Sequence, residues 1–175
     1  MPDSTRRARL FFALWPDAPT RAEFNRSGAW LHQHWGGRRM RADTLHLTLA
    51  FLGDLPPVWR ERLLADIAPI SLGGFELEFA TPGYWRHNRI GWLGPRPSAA
   101  LDELAGRLRS QLVALGAPFD AKPFNAHVTL LRNCAGGGPP PCRPVVWKVD
   151  DFALIESRPD ESGAHYTVLK RWALG

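Results

Sequence analysis

Two stretches of the sequence, HLTLA at residues 46–50 and HVTLL at residues 127–131, are near copies of one another and decide the fold. Each consists of histidine, an apolar residue, threonine and two more apolar residues, an alternation that predicts a β-strand. Because side chains alternate between the two faces of a strand, the histidine and the threonine of each copy share one face. An unpaired buried imidazole or hydroxyl costs about 1–3 kcal/mol, so each strand is expected to bury its apolar face and present the polar pair to a cleft.

The two histidines are 81 residues apart, one in each half of the chain. A pseudo-twofold relation between the halves would bring His46, Thr48, His127 and Thr129 to one point. One neutral imidazole can accept a proton from water, one protonated imidazole can donate to a leaving oxygen, and the hydroxyls can donate to phosphate oxygens. This set predicts metal-independent phosphodiester chemistry. The residues alone leave open which histidine is the acid and which is the base.

A third segment, HYTV at residues 165–168, also fits the pattern, so the local pattern does not by itself select the pair. The first two copies have a basic residue five positions before the histidine, Arg41 and Lys122, whereas the third has none. The third copy also follows Gly163 at the start of a hairpin, where strands are most exposed. We therefore expect His165 to be a solvated strand residue.

Between these segments, periodicity and turn residues predict interleaved strands and helices, which is typical of an α+β protein. The helices are expected to begin after Pro16, at Pro56-Pro57 and at Pro97-Ser98. The predicted strands are Arg9–Trp15, Leu45–Leu52 closed by a Gly53-Asp54 turn, three short strands between Phe75 and Leu93, Ala126–Leu131, Val145–Glu156 and His165–Leu174.

The composition is that of an ordinary folded chain: 175 residues, 45% apolar and 22% charged. It predicts one domain, residues 1–175, and excludes a disordered tail, a collagen-like rod and a disulfide-stapled miniprotein. No apolar run approaches the roughly 20 residues of a membrane span, so we expect a cytoplasmic, monomeric protein without membrane contact. The net charge of +5 suits an anionic partner such as RNA, although the richness in arginine, glycine and proline equally fits a compositional bias.

Further segments extend the likeness beyond the two histidine motifs. The sequence resembles the 2H phosphoesterase superfamily, and within it the RNA 2′,3′-cyclic phosphodiesterases, also called 2′-5′ RNA ligases. In the second motif, Ala126 stands where that family usually has proline. The segments that carry the resemblance are RLFFALWP at 9–16, HLTLAFLG at 46–53, FNAHVTLLR at 124–132, and the closing hairpin around residues 156–157 and 163–166.

The resemblance implies a bilobal α+β fold in which two antiparallel sheets, related by pseudo-twofold symmetry, flank a central cleft with the helices outside. It implies hydrolysis of RNA 2′,3′-cyclic phosphate ends to 2′-phosphomonoesters, and the reverse 2′-5′ ligation as a further activity. It makes His46 the proton donor and His127 the proton acceptor, with Thr48 and Thr129 holding the phosphate. It calls for no cofactor and no metal.

Four further residues are expected to bind substrate. Arg132 lies three residues after Thr129, opposite it in a regular strand, and would have to turn back at the strand end. Arg41 approaches the first motif and is placed to steer an RNA backbone. Phe11 and Phe51 could stack on a base, with a core position as the alternative. The alternative functions are a phosphodiesterase acting on a small cyclic nucleotide or another cyclic phosphate, and a non-catalytic module that binds RNA ends.

Overall fold

The computed structural model describes residues 7–175, so the first six residues of the predicted domain 1–175 lie outside the described residues. Within that range, no helix is both long and apolar enough to cross a membrane. The helices are α1 (Ala18–Trp35), α2 (Pro57–Asp66) and α3 (Ala99–Leu115). The strands are β1 (Ala8–Leu14), β2 (Arg38–Arg39), β3 (Leu47–Leu55), β4 (Phe75–Trp85), β5 (Ile90–Pro95), β6 (Val128–Arg132), β7 (Val145–Val149), β8 (Asp151–Asp160) and β9 (Gly163–Ala173).

The strands form two antiparallel groups that meet at one point. Their order is β7-β4-β5-β6-β3-β1-β8-β9, and β2 also pairs with β6, on the edge away from β5. In the described part of the chain, β3 and β6 share a single paired position, Leu47 opposite Val128. We call β3-β1-β8-β9 the first lobe and β7-β4-β5-β6 the second lobe. The predicted α+β fold with two antiparallel sheets is thus confirmed, and this pair is where the sheets join.

The lobes do not coincide with the two halves of the sequence. β7 pairs with β4 in the second lobe, whereas β8 pairs with β1 in the first lobe. The chain changes lobe at Asp150, so the prediction of one strand over Val145–Glu156 was wrong. Two successive aspartates, Asp150 and Asp151, interrupt the apolar run at this position, and the burial pattern changes from alternating in β7 to continuous in β8.

Gly53 lies inside β3, so the prediction of a turn at Gly53-Asp54 was also wrong. Leu10 of β1 is opposite Gly53, but Phe11 is opposite Phe51, which leaves one extra residue in β3. Gly53 has a positive φ of 81°, a conformation that glycine adopts at little cost. The glycine therefore allows a β-bulge instead of a chain reversal, and β3 continues to Leu55.

The helices cover the faces of the sheets that lie away from the cleft, as predicted. α1 is capped at its N-terminus by Asp17, whose carboxylate accepts from the Thr20 amide, and it packs on β6 and β7 of the second lobe. α3 is capped by Ser98 at its N-terminus and by Gly116, in a left-handed conformation, at its C-terminus, and it packs on β3 of the first lobe. Each long helix therefore covers a strand that carries one of the two histidine motifs.

Two glycine positions give a matched test of this packing. A Cβ at Gly83 in β4 would overlap the Trp92 indole, whereas a Cβ at exposed Gly106 in α3 meets nothing within 4 Å. We expect Gly83→Ala to destabilise the protein by about 1–3 kcal/mol, and Gly106→Ala to stabilise it by up to about 1 kcal/mol. Thermal unfolding of both variants checks this. A Gly83→Ala protein as stable as the wild type would contradict the packing described for Trp92.

Candidate active site

A cavity of about 520 Å³ opens where the two lobes meet. Its lining comes from both lobes, and none of it comes from α1, α2 or α3. All eight residues that the sequence singled out line this cavity: His46, Thr48, His127, Thr129, Arg41, Arg132, Phe11 and Phe51. The sequence therefore located the cavity correctly.

The pairing of Leu47 with Val128 explains why the two motifs come together. Both side chains are fully buried, and they mark the local twofold axis between β3 and β6. Continuing this antiparallel register by one residue on either side sets each histidine opposite the threonine of the other motif. All four of these polar residues line the cavity. The four polar side chains thus form a compact group on the cavity face.

Two equivalent β-bulges shape the ends of the motif strands. Leu49 is the extra residue where β3 pairs with β1, and Leu130 is the extra residue where β6 pairs with β5. In each strand this residue and the next are both buried, so the alternation of faces shifts by one. The third residue after each threonine, Phe51 in β3 and Arg132 in β6, consequently faces the cavity. This shift explains why Arg132 lies on the same face as Thr129 and not on the opposite face, as it would in a regular strand.

The two imidazoles are oriented by equivalent hydrogen bonds. Nδ1 of His46 lies 2.6 Å from the carbonyl oxygen of Thr44, and Nδ1 of His127 lies 2.7 Å from that of Asn125. Because a carbonyl oxygen only accepts, Nδ1 carries the hydrogen in both rings and Nε2 is the atom that can exchange a proton. In His46, Nε2 is 3.1 Å from Oγ1 of Thr48, whose hydroxyl donates to it when the ring is neutral.

His46 is enclosed by aromatic rings, whereas His127 is more open. Phe11, Trp15 and Tyr166 have ring centroids 4.9, 5.8 and 5.6 Å from that of His46. Burial, reinforced by the charges of His127 and two arginines, lowers the pKa of His46 to about 4, although the Thr44 hydrogen bond opposes this shift.

On the other side of the cavity, the ring of Trp85 meets that of His127 at 4.5 Å, edge to face. Burial lowers the pKa of His127 as well, against the hydrogen bond to Asn125. The environments of the two histidines therefore differ although their local geometry is equivalent. Both rings are mainly neutral at pH 7 in the free protein, and an anion between them would favour protonation.

The cavity wall is positively charged. Four arginines line it: Arg9, Arg38, Arg41 and Arg132. Within residues 7–175, no aspartate or glutamate lines it. Arg41 donates to backbone oxygens of Ser162 and Ala164 and pairs with Asp43, so it also fastens the β8–β9 turn to the cavity rim. Lys122, at the equivalent place before the second motif, is exposed beside Asp120 and does not line the cavity.

The third copy of the motif has the opposite orientation. His165 is exposed on β9 opposite Arg158, whereas Tyr166 lines the cavity. The expectation of a solvated His165 is thus confirmed. Tyr166, Trp15 and Trp85 surround the histidines, and none of the three was among the residues that the sequence analysis expected at the site. The alternation of β9 around Tyr166 was the available signal for the tyrosine, because an outward His165 implies an inward Tyr166.

In the described range, no three histidine, cysteine, aspartate or glutamate side chains come together in a group that could hold a metal ion. Both cysteines, Cys134 and Cys142, are free. What the cavity does offer is two Nε2 atoms, two hydroxyls and a wall of guanidinium groups. Such a set can bind a phosphate group and move protons on either side of it.

Comparison with known proteins gives consistent matches over nearly the whole chain. Residues 16–161 match the 2′-5′ RNA ligase superfamily. The Escherichia coli (strain K12) protein named RNA 2′,3′-cyclic phosphodiesterase is 38% identical over 172 residues, covering 95% of this chain and 96% of that protein. The Thermus thermophilus protein of the same name is 30% identical over 183 residues, covering 95% and 90%. The crystal structure of E. coli LigT complexed with 3′-AMP has a TM-score of 0.84 and 37% identity, covering 96% of this chain and 98% of that one.

Proposed function

This chain belongs to the 2′-5′ RNA ligase superfamily, and from that premise we propose that it is a hydrolase that opens RNA 2′,3′-cyclic phosphodiester ends to 2′-phosphomonoesters. The observation that carries the proposal is the pairing of Leu47 with Val128, which sets both histidine motifs on one cavity. Relatives named for this activity cover nearly all of the chain, which supports the same reaction here.

In the proposed reaction, His127 and His46 act on opposite sides of the cyclic phosphate. Nε2 of His127 accepts a proton from water, and the oxygen of that water forms a new bond to phosphorus. The bond between phosphorus and the ribose 3′ oxygen breaks, and His46 gives its Nε2 proton to that oxygen. The phosphate remains on the 2′ oxygen, and one proton has passed in net from His46 to His127.

The threonines and Arg132 stabilise charge during this step. The hydroxyls of Thr48 and Thr129 donate to non-bridging phosphate oxygens, which gain negative charge as the water attacks. The guanidinium of Arg132, brought to the cavity by the bulge at Leu130, supplies a fixed positive charge. Phe51 occupies the equivalent position in β3 and is 43% exposed, so its face is open to a base.

The assay for this function uses an oligoribonucleotide ending in a 2′,3′-cyclic phosphate. We expect a single product with a 2′-phosphate, and we expect the rate to be unchanged by EDTA, since protonation of the histidines replaces a metal. Loss of activity with chelator that returns on adding metal would contradict the metal-independent mechanism. Binding of the RNA end without turnover would support the alternative of a non-catalytic module.

The substrate class follows from the same proposal. An RNA or nucleotide 2′,3′-cyclic phosphate is the substrate, and reverse 2′-5′ ligation uses the same site. Comparing ligation and hydrolysis yields on one pair of RNA ends would measure that reverse activity. The monomeric state and the cytoplasmic location inferred from the sequence stay predictions.

A further inference from the structure

A second cavity, of about 470 Å³, continues from the active site toward the start of β1. Arg9, Ser157 and Ala164 line both cavities, so the two form one groove. Arg9 and Ser157 are directly opposite each other where β1 pairs with β8, and they make the floor at the junction. Arg7 and Arg158 line the second cavity but not the first.

The side chains of β1 lead from one cavity into the other. Phe11 lies against His46, and Arg9 and Arg7 follow at intervals of two residues. Residues two apart on a strand share a face and are separated by about 6.6 Å. Phe11 and Arg9 therefore share one face of β1, and Arg7, immediately before the strand, also lines the second cavity.

The charge of the groove is distinctive. Among residues 7–175, six arginines and one acidic residue, Asp54, line the two cavities together. By contrast, a cavity beside β7 is lined by three aspartates, one lysine and one arginine. The basic lining is thus a property of this groove and does not simply follow from the net charge of the protein.

The arginines of the second cavity have acidic neighbours but keep N–H donors that can bind a phosphate. Arg9 pairs with Asp54 at 3.4 Å, and Arg158 donates through Nε to buried Glu156 at 2.7 Å. Arg7 donates one bond to the carbonyl oxygen of Asp54. A guanidinium has five N–H donors, so these contacts orient each side chain while leaving donors for a phosphate.

We propose that this second cavity, built by Arg7, Arg9 and Arg158, binds the backbone phosphate that precedes the cyclic end, so that the preferred substrate is an oligoribonucleotide. The inference rests on the proposed function. A 2′,3′-cyclic phosphate is bonded to both the 2′ and the 3′ oxygen of the last ribose. That ribose therefore joins the rest of the RNA only through its 5′ oxygen. The next phosphate therefore lies on the 5′ side, and the second cavity is the basic continuation of the groove that can receive it.

The test compares two substrates that end in the same nucleotide: the nucleoside 2′,3′-cyclic phosphate, and a trinucleotide ending in it. We expect the wild-type kcat/KM to be at least tenfold higher for the trinucleotide. The variants are Arg7→Ala, Arg158→Gln and their combination, and the readout is the ratio of kcat/KM between the two substrates. Arg96→Ala is the matched control, because Arg96 is an exposed arginine paired with Glu78 outside both cavities.

The subsite predicts that the ratio falls about threefold to tenfold in each single variant and further in the double variant, while Arg96→Ala keeps the wild-type ratio. KM for the trinucleotide should also rise more steeply with salt than KM for the mononucleotide, and this difference should shrink in the double variant. Arg158→Gln leaves Glu156 with Arg60 as its partner, and Arg7→Ala disturbs no carboxylate, so at least Arg7→Ala is expected to fold normally.

The outcomes separate the two proposals. If the wild type hydrolyses neither substrate, the proposed function fails. If it hydrolyses both but the ratio is near one, or is the same in Arg7→Ala, Arg158→Gln and Arg96→Ala, then the subsite is wrong and the proposed function stands.

Discussion

Replacing either His46 or His127 with alanine is expected to lower kcat for cyclic phosphate hydrolysis by about a thousandfold or more. General acid and general base catalysis each contribute about 10²–10⁴-fold, and without either ring one proton transfer has no partner. The remaining side chains of the cavity still bind the phosphate, so KM should change much less than kcat. Single-turnover hydrolysis of the trinucleotide measures the chemical step directly.

The chain supplies its own control in the third motif copy. His165 is exposed on β9 and lines neither the active-site cavity nor the second cavity, so His165→Ala should keep the wild-type kcat. The double variant His46→Ala/His127→Ala should be about as slow as the slower single variant, because residues that act as a unit give non-additive losses. A His46→Ala or His127→Ala protein within tenfold of the wild-type kcat would overturn the two-histidine mechanism.

The repeated motif carried most of the information that the sequence holds about the cavity. Its period of two placed each histidine and threonine on one face, and pseudo-symmetry placed the two strands together. The face of Arg132 could not be derived this way. It depends on the bulge at Leu130, and the two successive leucines that form the bulge fit equally well in a regular buried strand.

The enclosure of His46 was equally beyond the sequence pattern. Trp15 follows β1, while Tyr166 comes from β9 near the other end of the chain. After β7 of the second lobe, the chain returns to the first lobe and adds β8 and β9 next to β1. This return brings Tyr166 to the same imidazole, that of His46, as Trp15. Local periodicity describes strands one at a time, so it does not report which lobe a late strand joins.

Binding of a phosphate anion is expected to raise the pKa of His46 by about 1–3 units from its value of about 4 in the free protein. The aromatic rings exclude water and so disfavour the imidazolium, but the same exclusion strengthens its attraction to an anion at Nε2. A donor that is neutral in the free protein can therefore become protonated when substrate arrives. This change reconciles the low pKa with the proposed role of His46 as the acid.

The sign of the effect on stability follows from proton binding. An unfolded chain holds histidine with a pKa near 6.5, so between about pH 6.5 and 4 the unfolded state binds a proton that folded His46 does not. This contribution to the free energy of unfolding is complete above about pH 6.5 and is lost as the pH falls toward 4. Inorganic phosphate should oppose this loss, because it favours the protonated ring in the folded state.

Histidine side-chain NMR titrations with and without inorganic phosphate measure the pKa of His46 in the free and in the anion-bound protein. In the free protein the His46 midpoint should lie near 4, and with ligand it should rise. Tyr166→Ala opens one side of the ring enclosure, so it should raise the midpoint of free His46 toward 6.5 and reduce the shift caused by ligand. A His46 midpoint above 6 in the free wild-type protein, or one that ligand leaves unmoved, would show that the aromatic enclosure does not control this proton.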